Sequence, residues 1–195
     1  RFRVPVVGTT ASADSCKQYS SDISVIDGPL ASTQIASISC DVVLNGITGS
    51  IGLGPTLAAL ASGNKVALAN KESLVAGGPL VTAFGHDRII PVDSEHSAIF
   101  QALLSGKRGE VKKFIITASG GALRDKSDIS AVTLDEVLAH PTWSMGPVVT
   151  INSASLMNKG LEIIEAHHLF NVPYNQIEAI IHPQSVVHSM VEYFD

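Results

Sequence analysis

Short apolar runs alternate with helical patterns through the first half of the chain. Runs rich in Val, Ile and Ala, as in β-strands, lie at residues 4–7, 22–27, 41–45, 65–70 and 88–92. Segments with apolar residues at helical spacing lie between them, at residues 30–39, 55–62 and 72–84. Apolar strands that alternate with helices of about ten residues are typical of right-handed βαβ units in a parallel sheet. Such a sheet binds ligands in the loops beyond the carboxyl ends of its strands.

The pattern changes after Gln101, where strands follow one another with fewer intervening helices. Strand patterns lie at residues 114–118, 176–181 and 186–194, and helical patterns lie at 134–139 and 152–169. We therefore predict two domains with a boundary near Val92, an α/β domain over residues 1–92 and an α+β domain over residues 93–195.

The composition, with 45% hydrophobic and 16% charged residues, is that of a folded domain. A formal charge of −5 with only 13 Lys and Arg excludes a broad basic surface for nucleic acid or an anionic membrane. No apolar run is long enough for a membrane span. Cys16 and Cys40 lack zinc-type spacing and are predicted to be ordinary reduced thiols. The chain does not begin with Met and both its ends are strand-like, so we expect it to be part of a longer protein.

Two acids and a histidine follow the strand pattern at residues 88–92. Asp93 and Glu95 are two positions apart, so their carboxylates point the same way if the backbone is extended there. Mg²⁺ takes carboxylate oxygens as protein ligands, and these acids are therefore candidate metal ligands. The alternative is local: Asp93 or Ser94 caps the following helix, and Glu95 is a first-turn acid favoured by the helix dipole.

The predicted helix 152–169 gathers polar residues near its start. Asn158 and Lys159 lie four and three residues before Glu162, which places the three side chains on one helix face. Ser153 is well placed to cap this helix, and the first N–H groups of a helix can receive an anion. A capped amphipathic helix with an ordinary Lys–Glu pair is the alternative. It explains Glu162 but not the gathering of polar groups on one face.

Three further segments are candidates for binding a phosphate. The glycine-rich segment 45–52 follows a strand and begins a helix, although close packing of strand on helix explains such glycines too. Lys71 follows an apolar strand and is either a ligand of a phosphate or hydroxyl group or a solvated side chain beside Glu72. Ser119 begins a Ser-Gly-Gly turn that presents N–H groups and a hydroxyl, as for a phosphate, or is part of a plain tight turn.

A loop at residues 140–147, with prolines near both ends, holds the chain's only tryptophan. Trp143 and Met145 in such a loop are suited to close over a ligand and exclude water. The alternative is that Trp143 anchors a core beneath the loop. The acids, the phosphate candidates and this loop together favour one site that holds a divalent cation beside a phosphorylated polyol.

Several motifs along the chain occur together in one known family. They are residues 69–75 (ANKESLV), 91–96 (PVDSEH), 119–121 (SGG), 140–146 (HPTWSMG), 152–162 with its MNKG segment, and 182–190 (HPQSVVHSM). In this order they resemble 1-deoxy-D-xylulose 5-phosphate reductoisomerases over residues 45–190, whereas residues 1–40 match only in general pattern. One departure is the segment 121–124 (GALR), where many members have Pro-Phe before the arginine; it affects only the packing of this loop.

The resemblance implies an NADPH-dependent enzyme of the non-mevalonate isoprenoid pathway that also needs Mg²⁺ or Mn²⁺. Such an enzyme rearranges 1-deoxy-D-xylulose 5-phosphate by retro-aldol and aldol steps and reduces the resulting aldehyde to 2-C-methyl-D-erythritol 4-phosphate. The implied fold is α/β: the second half of a Rossmann-like NADPH-binding parallel sheet, followed by an α+β catalytic domain. The resemblance further implies a homodimer with a sheet at its interface, and a bacterial cytoplasmic or a plastid location. Because the family's carboxy-terminal helical domain and half of its NADPH site would be absent, we expect the 195 residues alone to be inactive.

The resemblance also assigns roles to individual residues. It implies that the metal is bound by Asp93, Glu95 and Glu162, and that Glu95 also relays a proton. Substrate contacts carry over to Lys71, Ser94, His140 and the phosphate ligands Ser119, Ser153, Asn158 and Lys159. The mobile flap includes His140, Trp143 and Met145, with His188 close to the substrate or supporting the site. Secondary NADPH contacts carry over to Gly46, Ile47, Thr48, Asn70, Lys71, Glu72 and Gly146.

Two other functions fit the same residues. A metal-dependent sugar-phosphate aldolase or isomerase without nicotinamide would use the same acids and phosphate ligands, so only dependence on NADPH separates it from a reductoisomerase. A non-enzymatic sugar-phosphate sensor is disfavoured because all three acids and Lys159 are retained.

Overall fold

The computed structural model describes residues 4–12, 14 and 23–194. The chain divides into two compact units, Arg1–Ile90 and Pro91–Asp195. The predicted α/β class is confirmed, since helices alternate with parallel strand pairs. The assignment of NADPH binding to the first unit and of metal and substrate binding to the second stays a prediction. Cys16 and the predicted strand residue Asp22 lie outside the described residues, and Cys40 carries a free, exposed thiol.

The first unit is built from short strands and helices in alternation. Its strands are β1 (Val6–Thr9), β2 (Ser24–Asp27), β3 (Val42–Asn45), β4 (Lys65–Leu68) and β5 (Ile89–Pro91), the last of which ends at the boundary of the unit. Its helices are α1 (Ala31–Ala36), α2 (Leu53–Ala61) and α3 (Lys71–Thr82). β1 pairs with β2 and β3 with β4, both in parallel, and β3, β4 and β5 form one sheet in that order. The parallel pairing predicted from the strand–helix alternation is therefore confirmed.

Burial of apolar side chains holds the helices of this unit on its strands. Leu60 of α2, Val66 and Leu68 of β4 and Leu74 of α3 are fully or almost fully buried. A buried Leu or Val side chain contributes roughly 1.5–3 kcal/mol relative to its exposed state. This packing fixes the ends of β3 and β4, from which the loops with the predicted cofactor contacts start.

In its described residues, the second unit combines a mixed sheet with four α-helices. The helices are α4 (Ser94–Ala102), α5 (Leu134–Leu138), α6 (Pro147–Ala154) and α7 (Met157–Phe170). The strands are β6 (Val111–Ala118), β7 (Ile177–Ile181) and β8 (Ser189–Tyr193), in the sheet order β7-β6-β8. β6 is parallel to β7 and antiparallel to β8. The core forms where α4 and α7 bury Ile99 and Phe170 near Phe114 of β6, whose ring lies 5.3 Å from that of Phe170 in an edge-to-face contact.

One predicted helix is two. The pattern at residues 152–169 predicts a single helix, but α6 ends at Ala154 and α7 begins at Met157. Leu156 between them has a left-handed backbone with φ of 63°, a conformation that costs about 1–2 kcal/mol for a residue with a Cβ. The sequence has neither glycine nor proline at residues 154–157 that would predict the break. The break therefore depends on how both helices pack in the folded unit.

Among residues 4–12, 14 and 23–194, no helix combines the length and the apolar character that a bilayer span needs.

Candidate metal and phosphate site

The start of α4 positions the first two acids. β5 ends at Pro91, and Asp93 then caps α4, with its Oδ1 accepting a hydrogen bond of 3.0 Å from the Ser94 N–H. Glu95 lies in the first turn of the same helix. The local alternative is thus confirmed for Asp93 and Glu95, and it is compatible with a second role because each carboxylate has two oxygens.

α7 brings the third acid to the same place. Glu162 is 1% exposed and lies on the buried face of α7. Asp93, Glu95 and Glu162 each offer one carboxylate oxygen such that the three oxygens all lie within 4.8 Å of one another. We call these three residues the acid cluster. Hard divalent cations prefer oxygen ligands of this kind, and the donor set of the acid cluster therefore fits Mg²⁺ or Mn²⁺.

Lys159 is the counter-charge of the acid cluster in this structure. Its Nζ donates a 2.8 Å hydrogen bond to Glu95 Oε1 and pairs with Glu162 Oε2, and the lysine is 7% exposed. Asn158 Nδ2 donates to the other Glu162 oxygen at 2.6 Å. Burial raises the pKa of Glu95, but the Lys159 charge and hydrogen bonds from Lys159 and Ser94 outweigh it, so this pKa lies below the ordinary 4.5. A carboxylate that stays ionised near neutral pH is what a metal ligand requires.

A serine connects Glu95 to His188. The Ser94 hydroxyl donates to Glu95 Oε2 at 2.7 Å, and Ser94 Oγ lies 3.0 Å from His188 Nδ1. Because the single hydroxyl proton goes to the carboxylate, Ser94 Oγ accepts from His188, whose proton is then on Nδ1. A His188 ring whose one proton is on Nδ1 has Nε2 as its unprotonated nitrogen, which is a suitable proton acceptor.

His140 organises the start of the predicted flap. Its Nδ1 accepts hydrogen bonds from the backbone N–H groups of Thr142 at 3.1 Å and Trp143 at 2.9 Å. The ring proton is therefore on Nε2, which lies 3.3 Å from Ser119 Oγ. Burial lowers the pKa of His140, in keeping with a neutral ring. The Arg124 guanidinium holds the other side of this turn by donating to the Ser119 carbonyl at 2.8 Å.

Trp143 is not a core anchor. It is 45% exposed, which makes that alternative wrong. Its indole N–H donates to Ser185 Oγ at 3.3 Å, and its ring centre lies 6.3 Å from that of His188. Met145 is partly buried, and Gly146 is the N-cap residue just before α6. The flap segment therefore contacts the loop before β8 through Trp143.

The two predicted serine ligands of phosphate lie on adjoining segments. The turn after Ser119 presses on the end of α6 so closely that a Cβ on Gly121 would lie 2.0 Å from the Ser153 carbonyl oxygen. The prediction that Ser153 caps a helix is wrong, because Ser153 lies in the last turn of α6 and its hydroxyl donates to the Val149 carbonyl at 2.7 Å. Its predicted phosphate contact stays a prediction.

In the first unit, Asn70 clamps the glycine-rich loop. The Asn70 amide donates to the backbone carbonyls of Ile47 and, at 2.9 Å, of Gly49, while its Oδ1 caps α3 by accepting from the Ser73 N–H at 2.9 Å. A Cβ on Gly52 would lie 2.8 Å from the Asn70 side chain. A residue larger than glycine at position 52 would therefore press on the Asn70 side chain. The other predicted cofactor contacts flank this clamp: Gly46 and Thr48 are exposed in the loop, and Lys71 and Glu72 form the first turn of α3.

Sequence reasoning missed a buried polar pair beside the acid cluster. His96 of α4 is 0% exposed and its Nδ1 lies 3.3 Å from an oxygen of Glu165 of α7, which is 1% exposed. A signal was present: Glu162, Glu165 and Leu169 follow one another at helical spacing, so two charged residues share the apolar face of α7. Ser185 was missed because its partner Trp143 lies 42 positions away, and Arg124 was missed although its contact with Ser119 spans only five positions.

Comparison with known proteins identifies the chain's relatives. Residues 6–78 match the sequence model of 1-deoxy-D-xylulose 5-phosphate reductoisomerase, and residues 89–170 match the model of the C-terminal domain of that enzyme. The chain is 59% identical over 193 residues to the reductoisomerase of Paenarthrobacter aurescens, covering 97% of the chain and 48% of the relative. It is 61% identical over 174 residues to that of Streptomyces coelicolor, covering 88% of the chain and 42% of the relative. The chain thus spans about half the length of these relatives.

Solved structures agree with the sequence matches. The reductoisomerase of Zymomonas mobilis in complex with NADPH superposes with a TM-score of 0.85 at 42% identity, over 96% of this chain and 50% of that one. A DOX-P reductoisomerase in complex with NADPH, fosmidomycin and magnesium superposes with a TM-score of 0.84 at 40% identity, over 97% of this chain and 52% of that one. The two family matches cover residues 6–78 and 89–170 and together account for most of the chain. The chain belongs to the 1-deoxy-D-xylulose 5-phosphate reductoisomerase family.

Proposed function

We propose that the full-length protein converts 1-deoxy-D-xylulose 5-phosphate to 2-C-methyl-D-erythritol 4-phosphate with NADPH and a divalent metal. The observation that supports this most is the acid cluster, in which α4 and α7 bring three carboxylate oxygens within 4.8 Å of one another. Family membership gives the substrate and the reductant their identity. Solved relatives in complex with NADPH, fosmidomycin and magnesium support the same assignment.

Asp93, Glu95 and Glu162 are the residues that would hold Mg²⁺ or Mn²⁺. A bound divalent cation supplies Lewis-acid chemistry, since it polarises a carbonyl oxygen and stabilises negative charge on oxygen. The protein's part is to keep the three acids ionised and close together. Lys159 and Asn158 do this by donating hydrogen bonds to Glu95 and Glu162.

The phosphate of the substrate is assigned to the surface between the Ser119 turn and the two helices α6 and α7. Ser119 and Ser153 would donate from their hydroxyls, and the short approach of Gly121 to Ser153 keeps their segments together. Asn158 and Lys159, in the first turn of α7, complete the proposed set. In this structure the Lys159 ammonium forms ion pairs with Glu95 and Glu162. In the proposed complex it therefore lies between these acids and the substrate phosphate.

His188 and Ser94 are suited to handle a proton beside Glu95. Their hydrogen bonds form a chain from the imidazole through the hydroxyl to the carboxylate. This chain holds His188 in the tautomer whose Nε2 can accept a proton. The flap residues His140, Trp143 and Met145 would exclude water from the reacting groups, and Trp143 already contacts His188 and Ser185.

NADPH binding is assigned to the loops of the first unit. Gly46, Ile47 and Thr48 lie in the loop after β3 that Asn70 clamps, and Lys71 and Glu72 follow at the start of α3. Gly146 is a further contact proposed from family membership, as is the contact of Lys71 with the substrate. We also propose a homodimer and a cytoplasmic location, or a plastid location if the source has plastids.

A spectrophotometric assay tests this function. The full-length protein is mixed with 1-deoxy-D-xylulose 5-phosphate, Mn²⁺ and NADPH, and NADPH oxidation is followed by its absorbance. We expect oxidation that requires the sugar phosphate and stops with a chelator. Consumption of the sugar phosphate without oxidation of NADPH would instead show an aldolase or isomerase, an alternative that the family assignment does not favour.

A further inference from the structure

A buried histidine connects the two helices that carry the acid cluster. His96 of α4 is completely buried, and its Nε2 lies 2.9 Å from the backbone carbonyl oxygen of Glu162 on α7. A carbonyl oxygen has no proton to give, so Nε2 carries the proton and donates. The side chain of His96 therefore holds the backbone of an acid-cluster residue at a fixed distance from the start of α4.

Glu165 lies against the other nitrogen of this ring. Its Oε2 lies 3.3 Å from His96 Nδ1, and both side chains are at most 1% exposed. The two atoms approach at ion-pair distance but outside hydrogen-bond geometry, so the contact places Glu165 against the ring. The ring of Phe170 stacks on His96 at 6.4 Å and limits its rotation.

We propose that His96 and Glu165 are positioning residues that set the separation of Glu162 from Asp93, and so the metal affinity of the acid cluster. This inference rests on the proposed function of that cluster. One ligand atom each from Asp93, His96 and Glu165 lies within 4.8 Å of the other two. The His96–Glu165 pair is therefore close to Asp93 as well as to Glu162, whose carbonyl oxygen His96 contacts. Partners that orient metal ligands in this way are typically worth 10–100-fold in metal affinity.

A second metal ion on Asp93, His96 and Glu165 is the competing explanation. The approach of His96 Nδ1 to Glu165 Oε2 fits both explanations, because two ligands of one ion also lie about 3 Å apart. The number of ions bound per chain separates the two explanations.

The test measures Mn²⁺ binding by the full-length protein without substrate. Calorimetry gives the affinity and the number of ions bound per chain, and the electron paramagnetic resonance spectrum is recorded for the bound ion. Glu165→Leu removes the tether, whereas Glu165→Gln keeps a side-chain amide that can donate to Nδ1. Leu169→Ala serves as the matched control, since it weakens the packing of the same helix from a position that is also buried. Melting temperatures are measured for every variant.

We expect one Mn²⁺ per chain in the wild type, about 10–100-fold weaker binding with an altered spectrum in Glu165→Leu, and near-normal binding in Glu165→Gln. The proposal is overturned if Glu165→Leu binds normally, if Leu169→Ala weakens binding as much at an equal loss of melting temperature, or if the wild type binds two ions and the variant one. A wild type that binds no Mn²⁺ would overturn the proposed function itself, and the inference with it.

A second pair of variants covers the case in which Glu165→Leu does not fold. His96→Gln keeps a donor near the position of Nε2 for the Glu162 carbonyl, whereas His96→Leu does not. We expect His96→Gln to bind Mn²⁺ more tightly than His96→Leu. Equal affinities of these two variants would contradict the positioning role.

Discussion

Lys159 Nζ lies 2.8 Å from Glu95 Oε1, although the two residues are 64 positions apart in the chain. The same ammonium pairs with Glu162, so one buried positive charge serves two carboxylates from different helices. Removing one partner of a buried ion pair typically costs about 3–5 kcal/mol, because the other charge is left uncompensated. The pairing holds the carboxylates of Glu95 and Glu162 close together, and it means that a metal would share its ligands with Lys159.

Replacing Glu162 tests the acid cluster directly. Glu162→Gln keeps the shape of the side chain but removes the charge that a divalent cation would bind. We expect Mn²⁺ affinity to fall by at least about 10-fold while the circular dichroism spectrum stays unchanged. Titration calorimetry of the full-length protein measures the affinity.

Glu178→Gln is the matched control for Glu162→Gln. Glu178 lies on β7 and forms an exposed ion pair with Lys113, so its loss removes the same charge away from the acid cluster. We expect this control to bind Mn²⁺ normally. Normal binding by Glu162→Gln as well would remove Glu162 from the proposed metal ligands.

Lys159 is predicted to control the ionisation of Glu95 in the metal-free protein. Burial raises and the Lys159 ammonium lowers the pKa of Glu95, with a net value below 4.5. Lys159→Met removes the lowering influence and leaves the burial, so we expect this pKa to rise. Carbon NMR of the labelled Glu95 carboxyl, titrated from neutral to acid pH, measures the change.

The same shift predicts the pH dependence of stability. Because the pKa of Glu95 is lower in the folded than in the unfolded state, its contribution to the unfolding free energy is complete above pH 4.5 and is lost as the pH falls through the lowered pKa. In Lys159→Met we expect this loss to disappear. Lys107→Met, which breaks only the exposed pair with Glu110, is the control; an unmoved Glu95 pKa in Lys159→Met would contradict the assignment.

Features that depend on neighbouring residues were predictable from the sequence. The four-residue spacing of Asn158 and Glu162 predicts the contact that the structure shows at 2.6 Å, because side chains at this spacing meet on any helix. The alternation of strands and helices likewise predicts the parallel pairing of β3 and β4. The position of Asp93 and Glu95 at a strand end was also visible.

Features that depend on tertiary contacts were not predictable. The break at Leu156 has no local signal, since the apolar periodicity continues through both helices. The sequence was equally compatible with Trp143 in a core and with Trp143 in a flap. Only the exposed fraction of its side chain distinguishes the two. His96 belongs to a motif with a visible acid pair, but its partners, Glu162 and Glu165, come from a helix more than sixty residues away.

Asn70 is predicted to shape the loop proposed to bind NADPH. Asn70→Ala removes the α3 cap, worth about 0.5–2 kcal/mol, and the hydrogen bonds to Ile47 and Gly49, whose loss costs about 1–3 kcal/mol more. Asn70→Asp keeps the cap acceptor but loses the amide donors, so it isolates the effect on the loop. We expect both variants to bind NADPH more weakly and Asn70→Ala to lose more stability, as measured by fluorescence titration and urea unfolding. Wild-type affinity for NADPH in Asn70→Asp would refute the role of the clamp.

Gly121 is predicted to be required for bringing the two proposed serine ligands together. Its φ of 68° is left-handed, and a Cβ there would lie 2.0 Å from the backbone oxygen of Ser153. In Gly121→Ala the Ser119 turn must move away from α6. We expect a loss of about 2–4 kcal/mol in unfolding free energy, from the left-handed backbone and from overpacking, and a KM for the sugar phosphate raised about 10- to 100-fold by the displaced ligands.

Gly109→Ala separates this effect from a general cost of replacing glycine. A Cβ on Gly109 meets no atom within 4 Å and its backbone is not left-handed, so we expect a change in stability within about 0.5 kcal/mol and an unchanged KM. Urea unfolding and steady-state kinetics of the full-length protein measure both quantities. The proposed phosphate ligands Ser119 and Ser153 cannot keep their spacing once the turn has moved, so a role in phosphate binding requires the KM to rise. If Gly121→Ala lost stability but kept its KM, the turn would be a structural element only.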